Sequence, residues 1–330
     1  MQNIKSVLTT SIIIVSLIIP LIGICLLYDP NIKFEITNYI ISITIFTIYQ
    51  SFLSALISLI IGSIFAYYLK KNSEIGIIKL IVNLLSILFV MPTIIIVLGM
   101  LTFFSSFTNI YGPFGIVFCH VILNLPLATR IIYQSLNDIS GNEYILAEQM
   151  GLKKFETFLA TEWQIIKKNA PSLFALIFFI CFVSFTPVLI LGGSPKYSTI
   201  EVSIYQSVVF LNNYNTAFYL LIMQLLICSI IFFLTFKNFK SENFFLDDRK
   251  IYTKNKISFK NKLTDYSVII FISLTLFISP IAIFFKGINF KFFDVFSSDY
   301  FLSSLLDTLL ICVGSGILSL LFTLNILQIL

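Results

Sequence analysis

Eight apolar stretches dominate the chain, near 8–28, 40–69, 77–104, 114–136, 171–191, 215–236, 267–285 and 303–330. A helix of about 20 apolar residues crosses a lipid hydrocarbon core. Backbone N–H and C=O groups find no water there, so such runs must be helical. The pattern predicts an all-α polytopic membrane protein with about eight transmembrane helices. The first run follows Lys5 and has no small-x-small cleavage signature after it, so we expect an uncleaved first span.

Polar positions fall between these runs and set the orientation. Seventeen basic residues lie before the first run or in the second, fourth and sixth connections, Lys5, Lys70 and Lys71 among them. The remaining four are Lys33, Lys196, Lys286 and Lys291. Cytoplasmic connections hold the Lys/Arg excess, which predicts a cytoplasmic N-terminus. The net charge of +5 therefore reports topology, not nucleic-acid binding. With 11% charged residues and 58% hydrophobic ones, the composition also points to lipid as the solvent.

Candidate chemistry is sparse. Cys25, Cys119, Cys181, Cys228 and Cys312 all fall in apolar runs without a C-x-x-C pair, which predicts buried, inert thiols and no metal site. The single histidine, His120, is the one interior ionisable group to weigh, either as an interhelical hydrogen-bonding group or as a lining residue of a transport path. A secondary transporter commonly keeps an acid or histidine in its spans, so this scarcity favours energy supplied from outside the polypeptide. No G-x-x-x-x-G-K-[ST] run occurs, so a nucleotide would have to be bound by another subunit. A weak internal repeat relates Ser54–Ala66 to Ser315–Leu327.

The exception to the apolar pattern is "LAEQMGLKKFETFLATEWQIIKKNAP", Leu146–Pro171. Apolar residues recur at Phe155, Phe158, Leu159, Trp163 and Ile166, one stripe of a helix whose other face is charged. Gly151 suits a left-handed helix end before that stripe. Pro171 suits the first position of the next span. A helix–turn–helix outside the membrane follows, with one face free to dock on a protein groove or on lipid.

This segment resembles the "EAA" loop of ABC-importer permeases. Ala147 and Gly151 match its Ala and Gly, while Leu146, Glu148 and Gln164 stand where the family usually has Glu, Ala and Pro. A more specific likeness is to the thiamine importer permeases. It rests on Glu162–Trp163, on Cys181–Phe182 with Ser184–Phe185, and on Leu191–Gly192–Gly193 with Pro195. Thr199–Ile200–Glu201, Ile204–Tyr205–Gln206 and "NLPLATR" at Asn124–Arg130 complete it. Iron(III) permeases share much of this pattern.

The resemblance implies a type I ABC importer permease fold built from two fused six-helix halves. Residues 1–236 would be the first half, with a coupling loop at 138–170. A cytoplasmic linker would occupy 237–266, and 267–330 would open a second half that is incomplete at Leu330. It also implies Ala147, Gly151, Glu162 and Trp163 as part of a coupling loop seated on a dimeric ABC ATPase that binds the ATP, and within it Phe155, Phe158 and Trp163 are apolar anchors either on that ATPase or against the chain's own membrane helices. His120, Gly192, Gly193, Glu201 and Tyr205 would belong to the substrate path or outer gate, served by an extracellular or periplasmic substrate-binding protein. Glu201 and Tyr205 offer charge and a ring to a cationic aromatic solute. No cofactor and no catalysis in this chain are expected. An iron(III) or other small-solute permease, a secondary transporter and a non-functional remnant stay open as alternatives.

Overall fold

The computed structural model describes residues 37–236, 259–288 and 298–327, together with isolated positions before residue 37 and around 295. Most of the expected first span at 8–28, including Cys25, and the basic stretch 237–258 lie outside these residues. Twelve α-helices and no strand are delimited among the described residues. Six helices are long and apolar enough to cross a bilayer, and a seventh span arises if one bent pair counts as a crossing. The chain is an all-α, multi-pass membrane protein.

Helix α1, Asn38–Lys71, starts where the Thr37 hydroxyl accepts the Ile40 N–H and ends in Lys70 and Lys71. The next apolar run is not the single span its length suggests. It splits into α2, Gly76–Val90, and α3, Thr93–Phe104, bent by 104°. Pro92 is the cause, because a residue before proline is pushed out of the helical region, and Met91 has ψ 137. Helix α4, Pro113–Asn137, follows Gly112, whose φ of 92 turns the chain into the helix. Proline occupies the first position there, where its missing N–H costs nothing.

The short helices α5, Gly141–Gln149, and α6, Lys154–Ala160, form the charged segment. Helix α7 runs from Glu162 to Phe182. The span expected to begin at Pro171 thus begins nine residues earlier, with Pro171 inside the helix. Charged residues in the first turns had disguised its start, and an interior proline is tolerated in a membrane helix when neighbours re-satisfy the backbone. Residues 186–191, expected as its continuation, form the separate α8, Thr186–Leu191. Helices α9, Ile200–Val209, α10, Tyr214–Phe236, α11, Phe259–Gly287, and α12, Asp299–Leu327, complete the order. Helix α11 starts at Phe259, inside the stretch 237–266 expected as linker.

Helix α4 is the hub, packed on α1, α2, α3, α7 and α8. Close approach depends on small residues, as membrane helices lack a hydrophobic drive to associate. A Cβ on Gly62 of α1 would lie 2.7 Å from the Ala128 Cβ on α4. One on Gly99 of α3 would lie 2.0 Å from the Ser279 carbonyl oxygen on α11. Polar side chains lock the same seams. Gln50 Nε2 donates to the Cys181 carbonyl at 3.0 Å, and Asn124 Nδ2 donates to Cys181 Sγ at 3.3 Å. Cys119 and Cys181 are buried as expected, but Cys228 is half-buried and Cys312 exposed on α12, whose apolar stretch has no buried residue among the described residues.

Candidate functional site

The charged segment is a helix pair folded at Gly151. Gly151 has φ 69, its N–H donates to the Glu148 carbonyl at 3.0 Å, and the Leu152 N–H reaches the Ala147 carbonyl at 3.1 Å. This paired bonding closes the last turn of α5 and satisfies carbonyls the helix end would leave free. The next helix starts with Glu156 Oε2 accepting the Lys153 N–H at 2.7 Å. The apolar stripe expected on one helix falls on two. Thr161, with φ −112 and ψ −81, separates α6 from α7 within the stripe.

Exposure sorts the residues of the segment into two groups. Leu146, Met150 and Phe155 stand out from the fold, with Met150 75% and Phe155 70% exposed. Trp163 is partly open at 43%. Ala147 and Glu162 are turned inward and buried. Phe158 is half-buried, its ring tilted against Trp163 at 6.5 Å and T-shaped against Tyr67 on α1 at 5.2 Å. The inward residues hold the loop to the bundle, and the outward ones leave an apolar face around Gly151. Leu146 and Met150 carry part of that face and were not singled out by the sequence. Their signal was an apolar pair, i and i+4, on a helix too short to show a stripe.

Glu162 is held by two donors. Tyr144 Oη donates to its Oε1 at 3.1 Å, and the Thr161 hydroxyl donates to its Oε2. Lys70 Nζ donates to Tyr144 Oη at 2.7 Å. Burial pushes the Tyr144 phenol well above its ordinary pKa, and the Glu162 carboxylate adds to the rise, so the phenol stays protonated and keeps donating. As the first residue of α7, Glu162 also suits the positive end of the helix dipole.

The turn at the other end of the bundle joins α8 to α9. A Cβ on Gly192 would lie 2.4 Å from the Tyr197 carbonyl oxygen, and Gly193 has φ 60, so both positions demand glycine. The Gly112 N–H donates to the Leu191 carbonyl at 2.7 Å, tying the start of α4 to this turn. Thr47 Oγ1 on α1 accepts the Ile200 N–H at 3.0 Å, so one helix caps another. Glu201 Oε2 accepts from Gln224 Nε2 of α10 at 2.7 Å. Tyr205 packs on Phe185 at 5.0 Å and Phe210 at 5.8 Å and stays 36% exposed. His120 sits within α4, 1% exposed, and neither ring nitrogen has a hydrogen-bond partner among the described residues. Gly192 and Gly193 thus lie in the turn before α9 and Glu201 and Tyr205 on α9 itself, while His120 is inside the bundle.

No family model matches the chain. Individual proteins do. The thiamine transport system permease protein ThiP of Escherichia coli (strain K12) aligns over 307 residues at 28% identity, 88% of this chain and 57% of that protein. The chain is similar to thiamine transport permeases along most of its length. The protein of the same name from Haemophilus influenzae is 32% identical over 213 residues, 60% of this chain and 39% of its own length. That of Brucella abortus (strain 2308) is 30% identical over 198 residues, 56% and 36%. The chain therefore spans between about a third and somewhat over half of the curated relatives it matches. Similarity to permeases and six membrane-crossing helices agree on a multi-pass inner-membrane protein.

Proposed function

We propose that the chain is the membrane-spanning part of an ABC importer that moves thiamine or its phosphates inward. The observation that carries this reading is the similarity to thiamine transport permeases over 88% of the chain. The α5–α6 pair is the coupling loop. Its exposed Leu146, Met150, Phe155 and Trp163 meet a groove on a separate, dimeric ATPase subunit, which binds the ATP, while buried Ala147, Gly151's turn, Phe158 and Glu162 hold the loop's shape. Large apolar side chains that become desolvated in a groove are the usual energetic centre of such contacts. The loop end of the bundle and the N-terminus face the cytoplasm. The turn at Gly192–Gly193, with Glu201 and Tyr205, faces a substrate-binding protein or forms the outer gate. Residues 1–236 make the first permease half, and α11 and α12 belong to a second.

Radiolabelled thiamine uptake tests the reading, in a strain without its own importer and with the ATPase, binding protein and missing permease portion supplied. Uptake that depends on this chain, and falls about tenfold or more with Phe155→Ala, is expected. No thiamine uptake from the complete set would sink the substrate assignment. Uptake of iron(III) in its place would keep the importer and change its cargo.

A further inference from the structure

Lys70 and Lys71 are consecutive residues in the last turn of α1, yet they serve different elements. Lys70 Nζ donates to Tyr144 Oη at 2.7 Å, and Tyr144 bonds Glu162 at 3.1 Å, so this branch leads into the loop helices. Lys71 Nζ lies 2.7 Å from Asp265 Oδ2 and 2.8 Å from Oδ1. Asp265 belongs to α11 and is 2% exposed. A carboxylate that deeply buried depends on its partner, because removing one member leaves an uncompensated charge. Neighbouring helix residues point about 100° apart, so one turn of α1 can face two bodies at once. The contact is stiffened by Tyr67 against Phe158 and by Lys71 lying 5.8 Å from the Tyr68 ring centroid.

We propose that Lys70 and Lys71 form a junction through which displacement of the α5–α6 pair reaches α11 as well as α1. Its role in transport rests on the reading of α5–α6 as a coupling loop. Before α11 the chain passes through the basic stretch 237–258, so the ion pair ties together two parts of the protein that are far apart in sequence. Lys71 and Asp265 are thus positioning residues, acting through the helices they join.

The test is hydrogen exchange on the full chain in lipid nanodiscs. Tyr144→Phe removes only the hydroxyl between Lys70 and Glu162. It should speed exchange in α5–α6 and also around residues 263–270, each about fivefold or more. In a Lys71→Met/Asp265→Leu background the loop should still respond and residues 263–270 should not. Glu162→Gln should repeat the pattern, and Lys71→Gln/Asp265→Asn replaces the apolar pair if that variant fails to insert. Unchanged exchange at 263–270 after Tyr144→Phe, or an equal change with the ion pair removed, overturns the junction. Uptake with all partner subunits then separates the two readings. Exchange coupling without any uptake by the unaltered chain leaves the junction standing and removes the coupling-loop reading. Where uptake occurs, Lys71→Met/Asp265→Leu should lower transport per ATP hydrolysed by about threefold or more, and an unchanged ratio counts against a role of the junction in transport.

Discussion

Helices α4 and α12 carry similar apolar stretches and meet opposite fates. In α4, 72% of the apolar stretch is buried, while in the more apolar α12 none is. Hydrophobicity selects both for lipid but does not choose which helix is enclosed, since lipid tails are as apolar as leucine. The difference lies in what surrounds them. Helix α4 has Gly62 of α1 set against Ala128, and its own Asn124 bonded across to α7. Helix α12 has small residues too, but a Cβ at Gly314 or Gly316 would meet nothing within 4 Å among the described residues. A small-residue seam is therefore only an opportunity for packing, realised when a partner presents a matching surface.

The comparison breaks most sharply at the tightest seam. Gly62→Leu should destabilise the bundle by about 3 kcal/mol, because the new side chain meets Ala128 and the Thr129 backbone. Thermal unfolding in detergent should read this directly. A loss below about 1 kcal/mol would show that α1 and α4 yield easily. Within α4, polar residues of equal burial should differ in sign. Asn124→Leu should cost about 1 kcal/mol by deleting bonds to His120 and Cys181. His120→Leu, which deletes two unpartnered nitrogens, should be neutral or stabilise by about 1 kcal/mol. Denaturation midpoints of the two variants would order them, and a large loss for His120→Leu would reveal a partner for the ring.

Smaller effects are expected outside the seams. Gly151→Ala should cost about 1 kcal/mol through its positive φ alone, as no neighbour crowds the site. Faster proteolysis at the α5–α6 turn, with the membrane helices still protected, would check that the loss is local. Gly316→Leu on α12 should change the same unfolding midpoint by less than about 0.5 kcal/mol. A loss as large as that for Gly62→Leu would mean that α12 is packed rather than open.

Much of this layout could be read from residue order. The apolar runs located the described spans, and the Gly151 turn was anticipated because few residues other than glycine accept that backbone. Other features could not be read locally. The helix break at Thr161 hides inside a continuous apolar period, and Pro171 looked like a start because interior proline is uncommon outside membranes. Glu162 looked like part of a solvated face, and nothing adjacent to it names Tyr144 or Lys70 as its company. Asp265 lies in a stretch that reads as linker, while its partner sits 194 residues away.

Sequence by itself determined what must be short-range: which stretches can cross lipid, where charge forces the chain into water, and where only glycine fits. Tertiary structure decided which of the apolar helices is enclosed, which aromatic residues face outward, and which charges are paired. Those outcomes depend on close contacts between surfaces far apart in the chain. The segment around Gly151 shows both levels at once: its turn follows from one residue's backbone freedom, and its grip on the bundle from Lys70, Tyr144 and Glu162 meeting in space.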